Sequence, residues 1–277
     1  MIQKPFNDPA VGAHDSIQYH FFFPENFIAF RIFRTNSQDY CTAWSHGPPP
    51  HETRYLIGHI ERSIQSGKPY LDIKGAGFRI RVPDSDAFLE ISPNGTDSSI
   101  RIDFQVQNVF SWLDPGGDPA DSESVIHQPN LLAELHYNGK KITGRGYCKR
   151  YFWPNAPKYC VWNFLHGVCL EENLTVWTAD AQFGMDKYNY FKILRDDETL
   201  LSSSETKTYH QFRSAYGEID DKAIKLAFKE RGSCECDLSN QAMSAVLRQD
   251  YGAMALTIGE NQFDCVALHE NFIGSIA

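Results

Sequence analysis

Hydrophobic residues alternate with polar ones along much of this chain, which is the pattern of half-buried β-strands. In the clearest stretch, residues 99–107, four apolar side chains share one face: Ile100, Ile102, Phe104 and Val106. Shorter alternating stretches occur at Phe27–Phe33, Phe78–Val82, Leu131–Tyr137, Val161–Leu165, Leu174–Thr178 and Ile224–Phe228. Segments rich in Gly, Pro and Asn separate these stretches and predict turns between strands. We therefore predict a chain made mainly of β-strands.

One hairpin and a few helices can be predicted more specifically. Residues 131–142 predict a β-hairpin, because Asn138-Gly139 suits the positive backbone angles of a two-residue turn. The best helix candidates are Tyr55–Ser66 and Ser239–Gln249. The segment Asp220–Arg231 is compatible with a helix or a strand, and its alternation favours a strand.

Many short strands with few helices predict an all-β fold with barrel or sandwich architecture. A sheet that no helix covers must close or stack to hide its apolar face. A length of 277 residues is sufficient for one large core or two smaller ones. Residues 112–123 are rich in Gly, Pro and Asp and form the candidate linker, so we predict an N-terminal β domain over 1–125 and a C-terminal β-barrel domain over 126–277.

Composition and charge indicate which kinds of partner the protein can have and where in the cell it is expected. The net charge of -9 is spread along the chain, and no run of Lys or Arg occurs, which argues against a nucleic-acid partner. Neither a secretory signal nor a membrane span is recognisable, so a cytoplasmic protein is expected. Seven cysteines, an odd number with irregular spacing, predict buried free thiols and no disulfide framework.

Common cofactor and metal motifs are missing from the sequence. It contains no P-loop and no G-x-G-x-x-G, H-E-x-x-H, C-x-x-C or G-x-S-x-G motif. Cys234 and Cys236 are one residue apart, which places both thiols on one strand face and favours packing over metal binding. We predict neither a metal nor an organic cofactor.

The first candidate for chemistry is the N-terminal segment His14–Phe23. Side chains at 14, 16, 18 and 20 share one strand face, and Asp15 points to the other. A histidine next to a carboxylate can act as an acid or base near neutral pH. The alternative is that His14 and Asp15 only cap the start of a strand.

The second candidate is the segment Gly144–Trp153. Alternation places four residues on one face: Tyr147, Lys149, Tyr151 and Trp153. A cation between aromatic rings can donate a proton or hold an anionic oxygen. Two alternatives remain open: a surface ladder of cations and rings, or an inward face that carries Arg150 and Phe152 instead.

The third candidate is a group of aromatic residues on the following strands. Trp162, Phe164 and His166 share a strand face, and Trp177 and Asp180 lie on the next strand. Their polar atoms meet in a common cavity or are satisfied separately in the core.

The second and third candidates together carry a family resemblance. Gly144-Arg145-Gly146-Tyr147, a segment rich in charge and Trp, and then Trp162-x-Phe164-x-His166-Gly167 resemble the lipocalin-like superfamily of carotenoid 1,2-hydratases. That group includes lipocalin-like Diels-Alderases and related natural-product cyclases. The segment His14-Asp15-Ser16 is similar to the start of the same group.

The resemblance implies antiparallel lipocalin-like barrels with a cavity for a long or polycyclic apolar molecule and no organic cofactor. In many members an Asp-His pair followed by Trp-Gly stands after Gly-Tyr, whereas here the segment reads Cys148-Lys149-Arg150-Tyr151-Phe152-Trp153. The acid–base arrangement of the hydratases would therefore need His14, Asp15 or His166 as a substitute.

The function that the resemblance implies is a cofactor-independent cyclase or isomerase of a polyene, terpenoid or polyketide-derived substrate, including Diels-Alder chemistry. Folding of the substrate and hydrogen bonds to one reacting partner would supply catalysis. Lys149, Tyr147, Tyr151 or His166 would bind a carbonyl, and Trp153, Trp162 and Trp177 would shape the wall. The alternative is a carrier that binds a lipid or pigment without changing it.

Overall fold

The computed structural model describes residues 14–35, 39–46, 54–63, 71–75, 78–82, 87–91, 100–105, 124–137, 139–153, 159–195, 198–203, 214–219, 222–239 and 243–276, in some strands by their backbone alone. All regular elements in these ranges are β-strands. The chain divides into two compact units, Met1–Asn155 and Ala156–Ala277. Each unit is described below by itself.

The first unit is a closed antiparallel barrel of ten strands. Each strand pairs with the next along the chain, and the last strand pairs with the first. The strands are β1 (His14–Phe22), β2 (Phe27–Thr35), β3 (Asp39–His46), β4 (Arg54–Ser63), β5 (Leu71–Gly75), β6 (Phe78–Val82), β7 (Ala87–Ile91), β8 (Ile100–Gln105), β9 (Ser124–Tyr137) and β10 (Lys140–Trp153). Pairing of β10 with β1 leaves no open edge among these strands, which removes the unpaired backbone groups that an edge would expose.

The interior of the first barrel is identified by contacts between strands that are not neighbours. The Phe104 ring on β8 lies 5.5 Å from the Tyr19 ring and 5.1 Å from the Phe21 ring on β1, measured between centroids. Odd-numbered residues of β1 therefore point into the barrel. Its even-numbered residues, including Gln18 and His20, lie on the opposite face.

The second unit is an antiparallel sheet of eight strands in the order β14-β13-β12-β11-β18-β17-β16-β15. The strands are β11 (Tyr159–Cys169), β12 (Leu174–Phe183), β13 (Asp186–Arg195), β14 (Glu198–Ser203), β15 (Ser214–Ile219), β16 (Lys222–Asp237), β17 (Met243–Ile258) and β18 (Asn261–Ile276). The first strand, β11, pairs with the last, β18, and the sheet ends at β14 and β15.

An apolar core fills the inner face of the second sheet. Residues from strands as far apart in the sheet as β13 and β16 meet there, among them Leu165, Ile193, Leu226 and Met254. Odd-numbered residues of β11 therefore point inward, and Trp162, Phe164 and His166 lie on the outer face. The prediction of an all-β chain with two units of antiparallel strands is confirmed, with a closed barrel in the first unit and one eight-stranded sheet in the second.

Both helix predictions are wrong. Tyr55–Ser66 overlaps β4, and Ser239–Gln249 overlaps the start of β17. Short apolar runs fit either structure, and pairing with neighbouring strands decides between them. Asp220–Arg231 contains the whole first half of β16, so the preference for a strand there is confirmed. Across the parts of the chain that the structure describes, no helix is long and apolar enough to span a membrane.

The structure divides the chain later than the expected boundary at residue 125. Strands β9 and β10, which begin at Ser124, pair with β8 and β1 and therefore complete the first barrel. The sequence shows only that residues 112–123 are rich in turn formers, and this segment lies outside the described residues. Long-range pairing, which the sequence does not display, fixes the boundary.

The expectation that all cysteines are free is wrong for one pair. Cys169 and Cys265 form a disulfide, with their Cα atoms 4.1 Å apart and a separation of 96 positions in sequence. The pairing of β11 with β18 makes them cross-strand neighbours, which their spacing in sequence does not reveal. Among the other described cysteines, Cys148, Cys160, Cys234 and Cys236 are thiols that form no disulfide. Burial raises the pKa of the Cys160 thiol to about 12, so this thiol stays protonated and unreactive at neutral pH.

We expect the Cys169–Cys265 bond to be detectable by peptide mapping. Digestion without reductant should yield a linked peptide pair containing both residues, and reduction should separate it. Cys160 supplies the internal control, since its peptide should run as a monomer under both conditions. Recovery of unlinked Cys169 and Cys265 peptides from unreduced protein would contradict the pairing.

Candidate functional site

A group of buried polar residues lies on the outer face of the first barrel. We call it the polar wall, and it consists of Gln18, His20, Arg31, Tyr147 and Lys149. Strand register brings them together, because Gln18 on β1 is opposite Lys149 on β10 and Arg31 on β2, and His20 is opposite Tyr147. All five are at most 3% exposed. Two cations and a histidine are thus withdrawn from solvent in one patch.

Hydrogen bonds connect three members of the polar wall. Arg31 Nη2 donates to Gln18 Oε1, which leaves the Gln18 amide nitrogen to donate to His20 Nε2. With Nε2 as the acceptor, the proton of a neutral His20 ring lies on Nδ1. The Arg31 guanidinium group therefore fixes the orientation of the Gln18 amide, and that amide in turn fixes the tautomer of the His20 ring.

Aromatic rings surround the imidazole of the polar wall. The His20 ring lies 5.7 Å from the Tyr147 ring and 6.0 Å from the Phe27 ring. Phe27 in turn contacts Phe22 at 5.2 Å and Trp44 at 5.0 Å. The polar groups are therefore set in a rigid aromatic layer, where hydrogen bonds are stronger than in water.

The glycines before Tyr147 are explained by close packing. A Cβ at Gly144 would collide with the Phe22 carbonyl oxygen and lie 2.7 Å from Phe23 Cε1. A Cβ at Gly146 would lie 2.9 Å from Phe21 Cδ1. The Gly144-x-Gly146 pair thus allows β10 to lie against the aromatic end of β1, which sets the positions of Tyr147 and Lys149.

A second buried polar group lies on the outer face of the second sheet. Its centre is Glu270, which is fully buried. Trp162 Nε1 donates to Glu270 Oε1 at 2.7 Å, and Gln249 Nε2 donates to Glu270 Oε2 at 2.6 Å. The Trp162 ring stacks on Phe272 with centroids 3.8 Å apart. Both carboxylate oxygens are therefore held by neutral donors.

His166 and Trp177 extend this second group. They are opposite each other in the β11–β12 pairing, and their rings stack at 5.1 Å with an angle of 10° between the planes. Phe164 lies 6.1 Å from His166 on the same face. The sequence candidates Trp162, Phe164, His166 and Trp177 thus share one buried face.

The remaining sequence candidates are placed differently. Asp180 is exposed and is opposite Asn163, so it lies on the other face of the sheet from Trp177. The side chains of His14, Asp15, Tyr151 and Trp153 lie outside the described residues. Their backbones pair His14 with Trp153 and Asp15 with Phe152. The same register pairs Tyr151 with Ser16.

Sequence reasoning missed Arg31, Gln249 and Glu270 as members of these groups. Arg31 carries the one signal that was available, since it is a charge within the apolar stretch Phe27–Phe33. Gln249 and Glu270 lie in alternating strands where polar residues are ordinary. Only their burial marks them.

The polar wall has the groups needed to stabilise negative charge on a bound oxygen. Ammonium, guanidinium and phenol groups are hydrogen-bond donors, and fixed donors in a buried site stabilise charge that develops during a reaction. The surrounding rings offer apolar surface to a substrate. The second group differs, because its charged member is a carboxylate that already accepts two hydrogen bonds.

Comparison with known proteins matches the chain at the level of structure. No protein-family model matches the sequence, and no curated protein matches it by sequence. A structure of CghA with Sch210972 has a TM-score of 0.62 at 8% identity, covering 95% of this chain and 88% of that one. Kievitone hydratase from Nectria haematococca has a TM-score of 0.59 at 12% identity, covering 95% and 89%.

An AttH-like protein from Nitrosomonas europaea has a TM-score of 0.56 at 12% identity, covering 97% of this chain and 98% of that one. The resemblance that the sequence motifs carry is therefore matched at the level of the fold. What the chain shares with these proteins is the fold, over nearly its whole length.

Proposed function

We propose that this protein is a cofactor-independent cyclase or isomerase that acts on an apolar polyene, terpenoid or polyketide-derived substrate. The observation that carries the proposal is the polar wall, in which Arg31 and Lys149 flank Gln18 within an aromatic layer. Folding of the substrate against the rings and polarisation of one carbonyl would supply catalysis.

Burial of these cations is costly, which favours a role in chemistry. Removing an ammonium or guanidinium group from water costs several kcal/mol before its partners compensate. A carrier for an apolar lipid or pigment needs only apolar walls with a few polar groups to orient its ligand. Two buried cations, each costly to remove from water, lie in one patch here, and this fits a site that must stabilise negative charge.

In the proposed reaction the substrate is a linear chain with a diene and an alkene conjugated to a carbonyl. Lys149 Nζ and Tyr147 Oη donate hydrogen bonds to the carbonyl oxygen and withdraw electron density from the alkene. The folded substrate forms two carbon–carbon single bonds at the expense of π bonds, and no atom is gained or lost. The product is an isomer of the substrate.

Two of the proteins with this fold support an enzymatic role. CghA is described in complex with the small molecule Sch210972, and kievitone hydratase is named as a hydratase. Both cyclisation and hydration begin with polarisation or protonation of an unsaturated apolar molecule. The polar wall of this chain contains hydrogen-bond donors that can polarise such a molecule.

The proposal is tested by incubating purified protein with linear polyenes that carry a conjugated carbonyl. Liquid chromatography with mass spectrometry should show a product of unchanged mass and new retention time. A product heavier by one water would indicate hydration instead. Recovery of bound but unaltered polyene would contradict the enzymatic proposal and support a carrier.

Lys149→Met should slow product formation by about tenfold to a hundredfold, because it removes one charged donor from the site and keeps the length of the side chain. The matched control is Lys141→Met on the same strand, whose ammonium is exposed and pairs with Glu134 at 2.5 Å. This control should retain the wild-type rate, since exposed ion pairs contribute little. An unchanged rate and product ratio for Lys149→Met would show that polarisation by Lys149 plays no part.

A further inference from the structure

The inner face of the second sheet carries a further set of polar residues, behind the strands that hold Trp162 and Glu270. Register aligns three rows across β11, β18 and β17. Leu165, His269 and Asp250 form a buried row above the apolar core. Asn163, Asn271 and Arg248 form the next row, and Val161, Ile273 and Val246 form the outermost row. We call the two outer rows the mouth of the second unit.

The side chains become more exposed from the core to the mouth. His269 is 5% exposed, whereas Ile273 is 62% exposed. Asn163 and Asn271 lie between these limits and are half-buried. The inner face is therefore open to solvent at this end of the sheet.

His269 orients both amides of the middle row. Its Nε2 lies 2.7 Å from Asn163 Oδ1, and its Nδ1 lies 3.3 Å from Asn271 Nδ2. The same Nδ1 atom also lies 3.5 Å from Asp250 Oδ2. A ring with its proton on Nε2 donates to Asn163 Oδ1 and accepts from Asn271 Nδ2, which are the two shorter contacts. Each amide is thereby held by one of its two polar atoms.

The other polar atom of each amide is available to a ligand. Within the part of the chain that the structure describes, Asn163 Nδ2 and Asn271 Oδ1 make no hydrogen bond, and neither atom is buried. These residues are opposite each other on adjacent strands. The mouth therefore presents a donor and an acceptor side by side.

The charges near this pair are arranged so that they favour a neutral ligand. Arg248 Nε donates to Asp250 Oδ1 at 2.9 Å, and Arg248 Nη2 lies 3.6 Å from Glu230 Oε2. Asp180, which is opposite Asn163, is exposed and would repel an anion. The apolar row next to the amides provides contact for a hydrocarbon group.

We propose that the mouth of the second unit is a binding site for a small neutral molecule that carries a carboxamide next to an alkyl group. The carboxamide oxygen accepts from Asn163 Nδ2, and its N–H donates to Asn271 Oδ1. The alkyl group packs on Val161, Ile273 and Val246. None of these residues belongs to the polar wall, so the site can be tested separately from the proposed cyclase activity.

Hexanamide is the probe for this site. Its titration into isotopically labelled full-length protein should give saturable NMR shifts of the Asn163 and Asn271 side-chain amides. Asn163→Leu and Asn271→Leu each remove one hydrogen bond and should weaken binding about five- to tenfold. Asn163→Asp keeps the shape of the side chain but replaces the donor with a charged acceptor, and should weaken binding at least as much.

Gln262→Leu is the control, since Gln262 is an exposed amide on the same strand as Asn271. It should bind hexanamide as the wild type does. Methyl hexanoate, which lacks the N–H donor, and hexanoate, which is anionic, should both bind more weakly than hexanamide. The proposal is overturned if hexanamide gives no saturable shifts, if the Asn variants bind it as well as Gln262→Leu does, or if methyl hexanoate binds equally.

Discussion

Replacement of Gly252 by alanine is expected to lower the free energy of unfolding of the second unit by about 3 kcal/mol. A Cβ at this position would collide with the Lys229 carbonyl oxygen, and would lie 2.8 Å from the Lys229 carbonyl carbon and 3.0 Å from Glu230 Cα. These atoms belong to the backbone of β16, so no side-chain rotation relieves the contact. The two strands must separate where their register shifts, between Glu230 and Gly232.

Urea unfolding followed by circular dichroism and fluorescence measures this loss. Gly259→Ala is the matched control, because Gly259 has a φ of 59° and nothing within 4 Å of the added Cβ. That variant has only the strain of a left-handed backbone, about 1 kcal/mol. If Gly252→Ala costs no more than Gly259→Ala, the close approach of β16 to β17 is not as the structure shows it.

Replacement of Glu270 by alanine is expected to lower the free energy of unfolding by about 3 kcal/mol. The change leaves the Trp162 indole N–H and the Gln249 amide N–H without the acceptor that each has in the native protein. Both donors are buried, and an unsatisfied buried donor retains its desolvation cost. The cavity left by the side chain adds to the loss.

The measurement is again the free energy of unfolding, together with tryptophan emission as a local readout. Glu270→Gln keeps the shape and one acceptor oxygen, so it should cost less than the alanine variant. Glu260→Ala is the surface control, since Glu260 is exposed in the turn before β18. Equal stability of Glu270→Ala and Glu260→Ala would rule out a structural role for the buried carboxylate.

The candidate site shows which parts of a function can be predicted from sequence. The segment around Tyr147 and Lys149 stands out because its glycines, cations and aromatic residues occur together, and the structure places both residues in the polar wall. Alternation alone does not show which strand face points into the barrel, because either face of Tyr147–Trp153 satisfies the pattern. Contacts between β1 and β8 decide it.

Arg31 and Glu270 were beyond prediction for a different reason. Each lies in an alternating strand where a polar residue normally points to solvent. Their burial depends on which other parts of the chain cover that strand, and this is set by contacts distant in sequence. The same holds for Cys169 and Cys265, which become neighbours only when β11 pairs with β18.

The sequence by itself determined that this protein is built of β-strands, because the alternation of apolar and polar residues is a local property with a period of two. It also determined the hairpin at Gly139, whose φ of 72° fits the predicted turn. The tertiary structure decided the closure of the first barrel, the division between the units, the buried face of each strand and the partners of its polar groups. These features depend on pairings between residues far apart in the chain, and a local pattern contains no information about such pairings.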